Sequence, residues 1–436
     1  MAALTFLLAA PGARAAGPER PPSFLHILTD DQTLDSLPYM PQTMRLLGKR
    51  GTRFDNHHAV QPLCCPARAS FLSGQYPHNH HVLNNLGPDG YAAFDFSRTL
   101  YTALDAAGYR TGWVGKVMNV NPDQGIEPEP GFDDWFMPLA GSQIEMFDFA
   151  VSDNGWRREF SGRHQNLVYT ERAKEFIEEA GREPFMLTLA LTSPHWSPCS
   201  GTAKDRCPPA PAPRDLDSLP EAEFPLADAH SFDPAERVEA DRWWQGEVES
   251  LQSVDRTVSS LIAQLRRAGR LDDTYVVFQS DNGLLHGEHG FFDKNLPWDR
   301  SVRVPMLIRG PGFERGAVRT DLTANVDVPA TILARAGVTP PLPLDGHSLL
   351  GERDRRFLLL EKPVEGTALG FAAWQQIKTR RGWTYWRRRD GSGKRHLYHL
   401  PTDPNQLRNR YRREPKLARR LERKLRGARD CAAPCP

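Results

Sequence analysis

The chain has 436 residues, 55 Lys+Arg against 54 Asp+Glu, 39% hydrophobic residues and six cysteines. That length allows a large core and more than one domain, and the mean hydropathy of -0.54 argues against an integral membrane protein. The apolar content is too high for a disordered chain, the net charge of +1 offers no global attraction to nucleic acid or to a membrane, and six cysteines are too few for a disulfide scaffold.

In chain order, Ala2 to Ala10 is a short apolar run followed by Pro11, Gly12 and the small-residue stretch Ala13 to Ala16. It predicts an export leader over 1–16, too short to insert stably in a bilayer, and hence a secreted or periplasmic product. Export permits disulfides, and Cys199 with Cys207, and Cys431 with Cys435, lie near enough in sequence to close locally. Phe24 to Thr29 (FLHILT) is a buried-strand pattern that ends in Asp30-Asp31. A helical pattern covers Met40 to Lys49, a second covers Thr99 to Ala107 with Gly108 as its cap, and Tyr109 to Val114 reads as a strand. Leu167 to Ala180 is an amphipathic helix and Phe185 to Leu191 a buried strand. Asp233 and Pro234 open a long helix whose apolar positions, Trp244, Val248, Leu251, Val258, Leu261 and Leu265, recur at helical spacing. Tyr275 to Gln279 and Val304 to Ile308 are further strands. Strands alternating with helices predict an α/β fold on a large, mostly parallel sheet over residues 22–350. The stretch Ser197 to Phe232 has no periodicity and is expected to be a long functional loop. Beyond 350 the pattern changes to short strands (Phe357 to Leu360, Gly370 to Ile377, Thr384 to Arg388) and a basic helix, Pro415 to Arg426. These predict a smaller antiparallel α+β subdomain over 351–436.

Two predicted strands run into paired polar residues, Asp30-Asp31 and Asp281-Asn282. Ligands in open α/β sheets sit beyond the carboxyl ends of strands, so these four side chains could form an all-oxygen site for Ca²⁺ or Mg²⁺. Each pair alone would equally suit a turn or a helix cap. Residues 64–74 (CCPARASFLSG) are compatible with a helix that has Cys64 at its N-terminus and Arg68 one turn on. A cysteine there could be a reactive thiolate or simply buried.

The run Cys64-x-Pro66-x-Arg68, with Ser70 and Gly74, resembles the signature of the type I sulfatases of the alkaline-phosphatase superfamily. The resemblance extends through Asp30-Asp31, Gly108 to Lys116 (GYRTGWVGK), Ser193 to Trp196 (SPHW), Ser280 to Gly283 (SDNG), Gly287 to Lys294 (GEHGFFDK), Arg303 to Pro305 and His396 to Arg410. It implies that Cys64 is converted to formylglycine by a formylglycine-generating enzyme. It also implies that one divalent cation, Ca²⁺ ahead of Mg²⁺, is held by Asp30, Asp31, Asp281, Asn282 and residue 64. On this reading a hydroxyl of the hydrated aldehyde attacks sulfur, a covalent sulfo-enzyme forms, and the second hydroxyl expels sulfate. Arg68, Lys116, His195 and Lys294 would stabilise the anion, with His195 and Lys294 beside the leaving oxygen. Two positions depart from the commoner pattern: Ala67 replaces Ser, and Met118-Asn119 stands where many relatives carry a histidine, which leaves Asn119 as a candidate substrate contact.

Tyr76 to Asn85 looks most similar to the N-acetylglucosamine-6-sulfatase branch, which implies a sulfated carbohydrate or aryl sulfate as substrate. The other readings are a phosphate or phosphonate monoester hydrolase and a non-catalytic glycan-binding protein with unmodified Cys64. His57-His58 and His78 to His81 are expected to be polar loop residues near the mouth, while His286 and His289, close after Asp281-Asn282, could line the pocket or be structural. From Gln376 onward the charge balance is +14, against -13 for residues 1–375. That basic region could attract a polyanionic glycan or present a solvated helix face while docking electrostatically on the acidic part.

Overall fold

The structure, a computed structural model, describes residues 20–199, 206–225, 232–351, 355–364, 372–428, 431–433 and 435. The expected leader lies outside the described residues, as do parts of the 197–232 loop. Strands in chain order are β1 Ser23–Thr29, β2 Thr52–Phe54, β3 His57–His58, β4 Arg110–Gly115, β5 Asp134–Pro138, β6 Phe149–Asp153, β7 Trp156–Phe160, β8 Phe185–Ala190 and β9 Ser197–Pro198. They continue with β10 Arg206–Cys207, β11 Thr274–Ser280, β12 Met306–Arg309, β13 Val318–Arg319, β14 Thr323–Ala324, β15 Phe357–Lys362, β16 Trp374–Thr379, β17 Trp383–Arg388 and β18 Arg395–His399. The helices are α1 Pro41–Thr43, α2 Cys64–Ser73, α3 Pro77–His80, α4 Leu100–Ala106, α5 Gln165–Glu179, α6 Pro234–Arg267, α7 Asp299–Val302, α8 Asp327–Ala336 and α9 Pro415–Ala428.

Ten strands form one sheet in the order β13-β2-β12-β11-β1-β8-β4-β5-β6-β7. Its centre, β11-β1-β8-β4-β5, is parallel. Strand β12 is antiparallel to β11, and β6 and β7 close the opposite edge as an antiparallel pair. The expected mostly parallel sheet is therefore present, with antiparallel margins. The central strands are mostly apolar and almost entirely buried because both faces are covered. Phe24 and Leu28 of β1 join the core beneath α2, α4 and α8, whereas Leu25 and Ile27 join the core beneath α5 and α6. The same two-residue alternation divides Tyr275 and Val277 of β11 from Val276 and Phe278. Helix α6 starts as its sequence requires: the Asp233 carboxylate accepts from Ala235 N and Glu236 N, and Glu236 answers to Asp233 N.

The C-terminal sheet, β15-β16-β17-β18, is antiparallel and carries α9. Strand β18 adds a member that the sequence pattern did not suggest. Its docking combines ion pairs, Lys378 with Asp299 and Arg355 with Asp327, with apolar packing. Leu358, Leu360, Trp374, Ile377 and Trp386 share one buried cluster with Val60, Tyr76, Leu285, Leu296 and Trp298 of the main body. On α9, Ala418, Leu421 and Leu425 face inward while Arg419 and Arg420 are exposed. Disulfides join Cys199 to Cys207 and Cys431 to Cys435, and Cys64 and Cys65 are free. Among the described residues, no helix is long and apolar enough to cross a membrane.

Candidate active site

Strands β1 and β11 pair in register, Thr29 opposite Ser280, so the next residues of each, Asp30-Asp31 and Asp281-Asn282, emerge side by side. Asp31 turns back with φ +70. Its N–H donates to Asp281 Oδ1 at 3.2 Å, and Asn282 Nδ2 donates to Asp31 Oδ1 at 2.6 Å. Helix α2 starts at Cys64 and ends on Gly74 at φ +72, and all ten of its residues are buried. Cys64 is thus presented from the helix N-terminus into the acidic pairs, with Sγ 3.5 Å from Asp30 Oδ1, 3.5 Å from Lys116 Nζ and 3.0 Å from Lys294 Nζ.

Arg68, one turn along α2, is fully buried. Its Nε lies 2.8 Å from Asp281 Oδ2 and its Nη2 3.2 Å from Asp30 Oδ2, and it also donates to Lys116 O. Lys116 follows β4 through Gly115, which has φ +101 and packs so tightly that a Cβ would fall 2.0 Å from Ala190 O. This close approach aims Lys116 Nζ at Asp30 Oδ2, 2.6 Å away. Lys294 Nζ bonds Asp31 Oδ1. His195 Nδ1 donates to Trp196 O at 2.8 Å, leaving Nε2 to face Asp31 Oδ2 at 3.6 Å. All nine sequence-predicted residues therefore converge.

Burial sets the electrostatics. It pushes the Cys64 thiol up to about 11, so the unmodified cysteine is a thiol and not a reactive thiolate. It lowers His195 to about 4, which keeps the ring neutral. Burial, with Asp30 adding to it, raises Asp281 to about 6. Burial also opposes the ionised forms of Asp30, Lys116 and Lys294, but their opposite-charge neighbours outweigh it: Lys116 above all holds Asp30 well below the usual range, Asp30 raises Lys116, and Asp31 raises Lys294. Three carboxylates and three fixed cations balance formally.

Within the two acidic pairs, Asp31 Oδ2 and Asn282 Oδ1 are buried without a hydrogen-bond partner among the described residues. Ligand atoms of Asp30, Asp31, Cys64 and His195 lie within 4.8 Å of one another. Unsatisfied hard oxygens beside converging carboxylates fit a divalent cation such as Ca²⁺ or Mg²⁺. Such an ion would also turn a balanced site into a net positive one.

Other expectations are corrected. His57 and His58 are not at a mouth: both are buried on β3. His57 contacts Thr323 Oγ1 and Gln279 Oε1, each at 3.1 Å, and His58 meets Lys378 Nζ at 2.7 Å. His78 pairs with Glu361 at 2.6 Å and His80 with Ser70 Oγ at 3.0 Å, so these are structural contacts as well. His286 is buried against Glu247 at 3.1 Å, whereas His289 stacks on Trp298 beside a cavity of about 230 Å³. The Asn119 backbone N–H donates to Cys65 Sγ at 3.0 Å.

Glu247 on α6 carried no sequence signal. Its Oε1 accepts from Thr33 N and Oγ1 at 3.0 and 2.7 Å, and its Oε2 meets His286. One carboxylate thereby ties down the two loops that carry the acidic pairs.

The family model for Sulfatase matches residues 22–338. An extracellular sulfatase SULF-1 homolog of Drosophila melanogaster is 32% identical over 354 residues, covering 76% of this chain and 31% of that protein. N-acetylglucosamine-6-sulfatase of Homo sapiens is 30% identical over 367 residues, covering 77% of this chain and 65% of that protein. The chain thus spans about a third to two thirds of the length of these relatives. In three dimensions it is similar to a protein solved with its substrate D-glucosamine-2-N,6-O-disulfate, with TM-score 0.80, 21% identity, and coverage of 94% and 97% of the two chains. It is also similar to a phosphonate monoester hydrolase from Silicibacter pomeroyi, with TM-score 0.71, 20% identity, and coverage of 94% and 95%. With the match across most of the α/β portion, the chain belongs to the sulfatase family.

Proposed function

We propose that the chain hydrolyses sulfate monoesters on a carbohydrate such as a 6-sulfated N-acetylglucosamine, with residue 64 acting as nucleophile in its formylglycine form. The observation that carries this reading is Cys64 itself, buried at a helix N-terminus with Lys116 and Lys294 within 3.5 Å of Sγ. Burial pushes the thiol up to about 11, which makes it a poor nucleophile and supports conversion by a formylglycine-generating enzyme. Asp30, Asp31, Asp281, Asn282 and residue 64 would hold the cation, Ca²⁺ ahead of Mg²⁺, which when bound supplies charge that acidifies a neighbouring hydroxyl.

The chain's own groups do the rest. Arg68 holds Asp30 and Asp281 in place and, one turn from residue 64, orients its oxygens. Lys116 and Lys294 stabilise charge that builds on the sulfuryl oxygens. Lys294 and His195 Nε2 stand at the leaving oxygen, with Lys294 carrying a proton to give. Burial of this cluster strengthens each of these interactions. The two disulfides and the extracellular relative support a secreted or periplasmic location.

The decisive experiment is peptide mass spectrometry across residue 64 of natively produced protein, paired with kcat/KM for an aryl sulfate and an aryl phosphate. A lighter, aldehyde-reactive peptide and a preference for sulfate are expected. An intact cysteine would leave a glycan-binding protein, and a preference for phosphate would move the chain to the phosphonate-hydrolase side of the fold. Cys64→Ala is expected to abolish turnover while leaving the unfolding transition in place.

A further inference from the structure

Five arginines gather at the end of the main sheet remote from Cys64. Arg45 lies just after α1, Arg50 before β2, Arg266 in the last turn of α6, Arg309 at the end of β12 and Arg315 in the loop that follows. With Asp272 they line an open cavity of about 480 Å³. Because β12 is antiparallel to β11, Arg309 sits opposite Val276, near the start of β11, whereas Asp281 follows the other end. Seven extended residues place the two ends about 20 Å apart.

Five guanidinium groups face a single carboxylate there. Several arginines elsewhere are paired, Arg110 with Glu179, Arg256 with Asp215 and Arg319 with Asp321. Among the described residues, none of these five takes part in an ion pair, and Asp272 is the one carboxylate in the lining. Four of the guanidinium groups are exposed and Arg309 is half-buried, donating to Leu46 O at 3.4 Å. Burial lowers Arg309, Asp272 opposes it, and Arg266, Arg315 and Arg50 add smaller lowering. Holding five like charges around one cavity costs Coulomb energy that an anion would relieve, and planar guanidinium forks match tetrahedral oxyanions two bonds at a time. A cavity of this size is in the range of small-ligand sites, roughly 300–1,000 Å³.

We propose that this cavity is a second oxyanion site, separate from the hydrolytic centre, which takes sulfate-type groups. On the sulfatase reading these are sulfo groups of a glycan chain or free sulfate. The site would hold a polyanion through one segment while another segment is processed, or respond to released sulfate.

The test uses the full chain carrying Cys64→Ala, with and without Arg266→Ser/Arg315→Ser, titrated calorimetrically with a fully sulfated oligosaccharide and with inorganic sulfate. Both substituted side chains are exposed, and circular dichroism checks the fold; Arg45→Glu serves as an independent variant. The expected result is at least about tenfold weaker binding of one or both probes on arginine removal. A loss confined to the oligosaccharide assigns the site to chain-borne groups, and an equal loss for inorganic sulfate assigns it to the free ion. Unchanged binding of both probes overturns the proposal. In chains retaining Cys64, Arg266→Ser/Arg315→Ser should hydrolyse a small aryl sulfate at the unsubstituted rate. Arginine-dependent binding without any sulfate hydrolysis would count against the sulfatase reading alone.

Discussion

Removing and restoring the cation gives the sharpest test of the site. Asp31 Oδ2 and Asn282 Oδ1 are buried without hydrogen-bond partners, so chelator-treated protein should carry an unmet demand that Ca²⁺ satisfies. A ligand present at a thousand times its dissociation constant adds about 4.1 kcal/mol to the folded state. Unfolding entropy near 2.1 cal/mol/K per residue amounts to about 0.9 kcal/mol/K for 436 residues. The expected rise in Tm is therefore about 4–5 °C. Asn282→Ala removes one of the two unsatisfied oxygens, and Asp31→Asn removes a charge that Lys294 and the cation would share. If either change weakens the ion about a hundredfold, about 2.7 kcal/mol of the increment disappears and the shift at the same Ca²⁺ concentration drops to about 1–2 °C. Differential scanning calorimetry in chelator and in Ca²⁺, each protein compared with itself, reads this directly. A full increment in both variants, or none in the unsubstituted protein, would refute the placement of the ion.

Acid should destabilise the fold through buried neutral histidines. Burial lowers His26 and His80 to about 3 and His57 to about 4, so between pH 6.5 and about 4 the unfolded chain binds protons that the folded chain refuses. Stability should fall by about 2 kcal/mol per histidine on going from pH 7 to pH 5, and urea midpoints should show His57→Gln reducing that slope by about one proton. Lys378, buried on β16, bonds Asp299 and meets His58 at 2.7 Å, while Arg303 supports the other Asp299 oxygen at 2.8 Å. Lys378→Met should cost about 3 kcal/mol in a guanidinium melt, and an unchanged midpoint would show that the pair contributes nothing to docking. Gly115→Ala should cost on the order of 3 kcal/mol, because its Cβ would lie 2.0 Å from Ala190 O; it should also lower kcat by displacing Lys116. Normal stability and turnover in that variant would contradict the packing described for the end of β4.

What was legible in the sequence is what chemistry writes locally. A buried strand running into Asp-Asp or Asp-Asn states both where the residues are and which way they face, since the carboxyl end of a central strand is fixed by the apolar run before it. Cys64, Pro66 and Arg68 share one helical turn, so their relation needs no knowledge of the rest of the fold. The readings that failed depended on distant partners. His57-His58 looks polar, yet His57 is taken inward by Thr323 and Gln279, more than 200 residues away in sequence. Strand β7, WRREF, lies at the sheet edge with four of its five residues exposed, and so lacks the alternation that marks a strand. The charge contrast between the two portions suggested electrostatic docking, and Lys378 with Asp299 and Arg355 with Asp327 do join them, but charge counts do not show which side of a strand faces its partner; Trp374 and Trp386 do, once β16 and β17 are paired.

Glu247 shows why a site is harder to find than its motif. On α6 it is one acid among several on an amphipathic helix, and its spacing gives it no distinction. Its importance comes from two loops that approach it from residues 33 and 286. Those loops hold the acidic pairs in place, so the converging side chains can keep unsatisfied oxygens and opposed charges that would otherwise relax. The motif residues converge on one another and share recognisable chemistry, whereas the residue that restrains them needs only a carboxylate at the right depth. Glu247→Gln separates the two roles. It keeps one acceptor for Thr33 but removes the charge facing His286, so the effect should fall on kcat and on cation affinity more than on Tm. A loss confined to Tm, with kcat and Ca²⁺ affinity intact, would make Glu247 a packing residue and nothing more.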